Sequence, residues 1–340
     1  MNDQALLEAA RTGDEDAFAR LVSSVRSGLH AHCYRMLGSA ADADDALQDT
    51  LLRAWRGLGG FEGRGSLSSW LYRIATNVCL RAIERRPARV LPIDYGPAAD
   101  PHEGVGAPLT ESVWIEPYPD ARLGLVDGFA APEARYEQRE SVELAFIAAL
   151  QHLPARQRAV LILREVLGFS ADEVAEVLDT SATSVYSALQ RAHKAVDERL
   201  PERSQQETLR SLEDDEIKRL VESYMDAFER ADVDAVVALL AEDVAIAMPP
   251  TPTWFRGRDD LREFLASRPM SGRIRWRGIP IRANGQPAVG FYEWDAELGV
   301  YVPHSLTVLT LRGAEITQID VFLTPEALER FGLPRELPAD

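Results

Sequence analysis

Between residues 41 and 58 the apolar or small side chains Ala43, Ala46, Leu47, Thr50, Leu51, Ala54 and Leu58 return every three or four positions. Asp42, Asp45, Gln48, Asp49, Arg53 and Arg56 fill the gaps. This period predicts a helix with one buried stripe and one charged face. A glycine-containing turn at 61–68 leads into a second predicted helix carrying Trp70, Tyr72, Arg73, Asn77, Arg81, Arg85 and Arg86. Upstream, Asp14 is placed to cap a helix through Phe18, Leu21 and Val22 towards Tyr34, Met36 and Leu37, with Gly38 closing it. Residues 5–86 therefore read as an all-α domain.

The pattern breaks at 87–139. Prolines punctuate an acidic stretch with no sustained period, which predicts a linker. Trp114, Ile115, Tyr118, Leu123, Leu125, Val126 and Phe129 make it unusually apolar for a tether, so part of it is expected to dock. Helical period resumes over 140–200. Ser170 with Glu173 forms a capping box signature before Val174, Ala175 and Leu178. A turn at 179–181 follows, then Val185, Leu189, Ala192 and Val196 in phase. That spacing predicts a helix-turn-helix, whose second helix turns Thr183, Ser184, Tyr186, Ser187, Gln190, Arg191 and Lys194 outward, groups suited to phosphates and base edges. Residues 204–340 change class: two or three helices precede β-like stretches at 274–281, 288–294, 300–311 and 316–322, predicting an α+β cone.

Charge sharpens this picture. The 340-residue chain has a formal net charge of −17, yet residues 61–91 hold six Arg against two Glu. A compact basic, aromatic segment in an acidic protein points to nucleic acid. No apolar run approaches ~18 residues and no charged-then-apolar leader opens the chain, which predicts a cytoplasmic protein that neither spans a membrane nor is secreted. Cys33 and Cys79 sit among apolar residues as buried thiols, and His30, His32 and Cys33 lack a second ligand pair, so neither metal nor cofactor is expected.

Asp44, Asp45, Gln48 and Asp49, followed by Trp70, Leu71, Ile74, Asn77, Arg85 and Arg86, resemble region 2 of the extracytoplasmic-function (ECF) sigma-70 factors. Residues 153–160, as L-P-x-x-x-R-x-V, and the helix-turn-helix resemble region 4. Glu242–Asp243–Val244, Trp254 with Gly257, and I-x-x-I-D-x-F at 316–322 resemble the SnoaL-like domain. The resemblance implies that Asp45, Gln48, Asp49 and Arg53 grip the clamp of the largest subunit of core RNA polymerase, region 4 meeting its flap. It implies that Phe61, Gly63, Arg64, Ser66 and Asn77 read the minus-ten element, while Arg73, Arg81, Arg85 and Arg86 hold phosphates. Capture of a flipped base costs a few kcal/mol of stacking, which a pocket and aromatic contacts must replace. Trp70 itself is expected to anchor the core.

The family's recognition helix reads close to V-K-S-R-L; here it is Val185, Tyr186, Ser187, Ala188, Leu189. With two cations missing, minus-thirty-five binding is expected to be weaker or differently specified. The resemblance also implies a linker that threads towards the RNA exit path. In the third domain Tyr224, Trp254, Glu293, His304 and Asp320 are candidate pocket residues for a small-molecule ligand, with His304 and Asp320 favoured as structural polar groups over a catalytic pair. The overall expectation is a promoter-recognising sigma factor, not an enzyme, whose third domain regulates it in cis. The alternatives are a ligand-responsive helix-turn-helix regulator, or a SnoaL-like cyclase or isomerase with a helical appendage.

Overall fold

The computed structural model describes residues 3–61, 63, 66–109, 114–123 and 139–339. They form two compact units, one from Met1–Arg89 with Ala121–Leu200, the other from Val90–Asp120 with Pro201–Asp340. The predicted linker is thus divided between them, and most of its described length belongs to the unit of the third domain. Leu125, Val126, Phe129 and Arg64 lie outside the described residues.

The first unit opens with α1 (Asp3–Arg11), α2 (Glu15–Leu37), α3 (Ala40–Gly57) and α4 (Leu67–Ile83). Asp14 Oδ1 accepts the Ala17 N–H at 2.9 Å at the start of α2. Gly38 ends it in the left-handed region at φ 68°, its N–H on the Tyr34 carbonyl at 2.7 Å. An added Cβ there would stand 3.0 Å from the Gln151 side chain, a second reason for glycine. The α3 stripe buries Ala43, Ala46, Leu47, Thr50 and Ala54, as the period predicts, while Leu51 stays half-exposed.

Further along this unit, the described residues form α5 (Leu144–Gln151), α6 (Ala155–Leu161), α7 (Ala171–Leu178) and α8 (Ala182–Asp197). Helix α6 passes directly into a π-turn at Ile162–Val166 before Gly168. Both halves of the Ser170–Glu173 capping box form, and Asp179 takes the left-handed turn at φ 51°.

Two buried arginines tie α5 and α6 to α2. Arg35 donates to the Ser141 carbonyl at 3.0 Å and to its hydroxyl at 2.7 Å. Arg158 is 3% exposed and donates to the carbonyls of Met36, Gln151 and Leu153 and to Gln151 Oε1. Burial pulls its pKa down to about 10, still high enough to keep the charge at neutral pH.

The second unit has helices α9 (Gln205–Arg210), α10 (Asp214–Glu229), α11 (Val233–Ala238), α12 (Arg258–Ser267) and α13 (Pro325–Arg330). Its strands are β1 (Leu240–Ala247), β2 (Trp254–Arg256), β3 (Trp276–Ala283), β4 (Gln286–Asp295), β5 (Val300–Arg312), β6 (Glu315–Phe322) and β7 (Leu337–Pro338). The sheet runs β2-β1-β6-β5-β4-β3, with β7 on β5. Among the described strands of this sheet, only β1 and β6 pair in parallel. The expected cone is there, with β1 and β2 added to the four predicted β-like stretches. Period-two alternation sends Val244 and Ile246 into the main core and Ala245 and Ala247 to the other face, against Trp254 and Ile93.

Segment 90–120 is sewn onto this unit by its backbone. Ala99 N–H donates to the Trp254 carbonyl at 2.8 Å, and Leu109 N–H to that of Pro250 at 3.0 Å. Tyr118 and Asn284 exchange two bonds, Tyr118 N–H to Asn284 Oδ1 at 2.7 Å and Asn284 N–H to the Tyr118 carbonyl at 2.8 Å. Trp114, Ile115 and Tyr118 are buried. The expected docking is real, and its driving force is apolar burial plus paired backbone groups.

Candidate polymerase and promoter interfaces

On α3, Asp45, Gln48 and Arg53 are exposed and Asp49 is half-exposed. Arg53 Nε stands 2.9 Å from both Asp49 oxygens. On α4, Arg73, Asn77 and Arg81 recur every four residues as one exposed stripe, with Arg85 and Arg86 just past its end. Asn77 Nδ2 donates to the Arg73 carbonyl at 3.0 Å, which fixes its amide along the helix.

Parts of the two predicted sets meet. Asp45, Asp49, Arg53, Arg81, Arg85 and Arg86 line one cleft of about 410 Å³ between α3 and α4. Arg86 also pairs with Asp42, and Arg89 with the other Asp42 oxygen at 2.6 Å. Burial pushes the Asp42 carboxyl up, but hydrogen bonds from Arg86 and Arg89 outweigh it and hold the pKa below the ordinary value. Asp42, expected outward, is therefore a structural ion.

Phe61, expected in the loop that reads the minus-ten element, is packed inward. Its ring is 9% exposed and packs 5.1 Å from Trp70, and its carbonyl accepts the Arg11 guanidinium. Burying two rings together outweighs leaving one free to stack on a base, so Phe61 anchors the loop instead of presenting an open face. Trp70 packs against the small cluster of Leu6, Leu21 and Leu58, the core role expected of it. Gly63, in the left-handed region at φ 72°, and Ser66, which caps α4 by accepting the Ser69 N–H, remain at the exposed loop.

On α8, Val185, Ala192 and Val196 are buried while Thr183, Ser184, Tyr186, Ser187, Gln190, Arg191 and Lys194 are exposed, Tyr186 to 58%. One helix face therefore presents the whole expected set.

In the third domain a cavity of about 510 Å³ opens between sheet and helices, lined mainly by apolar side chains. Tyr224 and His304 line it; Trp254, Glu293 and Asp320 do not. Trp254 lies across the sheet, its indole N–H on the Gly96 carbonyl at 2.8 Å. Glu293 falls two residues beyond the lining residue Phe291 on β4. Asp320 alternates with Val321, which lines the cavity, and so faces the other way, held by Gln318 Nε2 at 3.0 and 2.9 Å. Burial raises its pKa to about 7 despite that bond, with Asp94 adding a push. Strand alternation thus keeps Asp320 and His304 apart.

His304 reaches the cavity through a β-bulge: Phe291 pairs with Ser305 and Tyr292 with Pro303, which leaves His304 as the extra residue. Sequence reading missed Arg35, Val105, Arg268 and Arg273. Arg158 was visible in the L-P-x-x-x-R-x-V motif, but its buried role was not; the others carry no motif.

An acidic-and-basic cleft on one helical module, a polar recognition helix on a second and a cone-shaped third domain define a promoter-recognition protein. Family profiles agree: Sigma-70 region 2 matches residues 21–88, Sigma-70, region 4 matches 143–196, and the SnoaL-like domain matches 221–323. The ECF RNA polymerase sigma factor SigG of Mycobacterium tuberculosis is 40% identical over 329 residues, 96% of this chain and 86% of that relative. The RNA polymerase sigma-H factor of Pseudomonas aeruginosa is 30% identical over 198 residues, 58% of this chain and 93% of its own. The chain belongs to the ECF RNA polymerase sigma factors. The crystal structure of the M. tuberculosis extracytoplasmic function sigma factor SigJ shares the fold, with a TM-score of 0.57 at 21% identity over 92% of this chain and 98% of that one.

Proposed function

We propose that this sigma factor works in the cytoplasm without catalysis of its own, and that its third domain regulates it in cis. Asp45, Gln48, Asp49 and Arg53 engage the polymerase clamp, and the region 4 module engages the flap. Gly63, Arg64, Ser66 and Asn77 read the minus-ten element, with Phe61 as the anchor of that loop. Arg73, Arg81, Arg85 and Arg86 hold phosphates, and the exposed face of α8 reads the minus-thirty-five element.

One observation carries the regulatory reading. The segment that connects the two promoter-reading modules is bonded along Ala99, Leu109 and Tyr118 to the third domain. A connector held there is withheld from any path through polymerase until those bonds open. Run-off transcription by the full chain and by a truncation at residue 203 tests this. The truncated chain should differ in activity or promoter choice; identical output would sink the regulatory reading while leaving the sigma assignment intact.

A further inference from the structure

The third-domain cavity is mostly hydrocarbon-lined, yet its charged lining is of one sign. Arg268 and Arg273 line it, and among the described residues no carboxylate does. Neither arginine forms an ion pair among the described residues. Inside, His304 lies with its ring 4.8 Å from Trp276, and its Nδ1 is buried with no hydrogen-bond partner. Burial lowers its pKa, which keeps the ring neutral and able to meet a polar group of a guest. An unsatisfied buried nitrogen costs free energy that a bound oxygen would recover.

The connector forms part of the wall. Val105 lines the cavity although it belongs to segment 90–120. Next to it, Gly104 has φ 86°, and a Cβ there would stand 2.4 Å from the Arg268 guanidinium. Arg268 therefore rests on the connector backbone while also facing the cavity. Gly106 N–H, one residue beyond Val105, donates to Thr253 Oγ1 at 2.8 Å.

We propose that this cavity binds a compact organic acid with a mostly hydrocarbon body, and that Val105 and Arg268 transmit its occupancy to the connector. The body fills the apolar interior, a polar atom meets His304, and the anionic head pairs with Arg268 and Arg273. A guest that packs on Val105 and engages Arg268 adds contacts to segment 96–109 and so tightens its hold. The consequence for transcription rests on the cis-regulatory reading; the binding itself does not.

Decanoate serves as the probe, titrated calorimetrically into the full chain, with decanol as the uncharged control. Saturable one-site binding at least tenfold tighter for decanoate is expected, together with about fivefold slower amide hydrogen exchange at Ala99, Gly106 and Leu109. Arg268→Gln with Arg273→Gln should erase the preference for the acid. Val105→Trp, a change on the connector that fills the cavity from its wall, should abolish binding. Absence of saturable binding, equal binding of decanol, or binding that leaves exchange over 96–109 unchanged or faster would each overturn the proposal. None of these readouts involves polymerase, so their failure is separable from failure of the truncation experiment.

Discussion

Asp320 is fully buried, with Gln318 as its bonded neighbour and Asp94 nearby, and its pKa is raised to about 7. Unfolded, a carboxyl titrates near 4, so the folded chain keeps an extra proton between about pH 4 and pH 7. That contribution is complete below pH 4 and is lost as pH rises through 7. Three units correspond to roughly 4 kcal/mol at most. Asp320→Asn should flatten this slope, read as the urea midpoint of the full chain at pH 5 and pH 8; parallel curves for both proteins would refute it. Arg158 offers a second test. Arg158→Met removes donors from the Met36, Gln151 and Leu153 carbonyls and should cost roughly 3 kcal/mol in denaturant unfolding. At Asp49 the consequence is functional: Asp49→Lys reverses a half-exposed charge and should weaken core polymerase binding at least tenfold in a competition assay. Unchanged affinity would remove α3 from that interface.

Helix α8 shows what the period of an element conveys. Every expected outward residue is outward because packing Val185, Ala192 and Val196 inward leaves the rest no alternative. One of the two missing cations can be restored there. Tyr186→Lys should add about one unit to the salt slope of duplex binding in fluorescence anisotropy, since one more phosphate would be neutralised. A slope that does not change would mean position 186 lies away from the backbone. Strand β6 conveyed less. Its period was legible, but whether Asp320 or Val321 faced the cavity depended on register with β1 and β5. His304 was placed correctly, although it reaches the cavity through a bulge that no spacing in the chain reveals. The inward packing of Phe61 was not legible, because its own segment says nothing of Arg11 and Trp70 closing over it.

At the scale of the molecule, the connector is the element whose role changed most. Asn284, in the left-handed region at φ 56°, holds Tyr118 by side chain and backbone together. Asn284→Gly keeps that backbone accessible and removes the carboxamide, including the oxygen that accepts the Tyr118 N–H. Hydrogen exchange at the Tyr118 amide should then quicken about tenfold, and transcription should shift in the direction of the truncated chain. A slow amide in that variant would show that apolar burial of Trp114, Ile115 and Tyr118 alone secures the segment.

The chain's own pattern determined the helical modules, the cone, the caps at Asp14, Ser170 and Gly38 and the family, because these depend on periods and spacings shorter than one element. Only tertiary structure decided that α3 and α4 share a single charged cleft, that Arg35 and Arg158 join the two helical modules, and that Asp320 turns away from His304. It alone also laid residues 90–109 and 114–120 against the third domain. Each of these depends on which groups far apart in sequence must be desolvated together, and that balance is struck only when the chain has closed on itself.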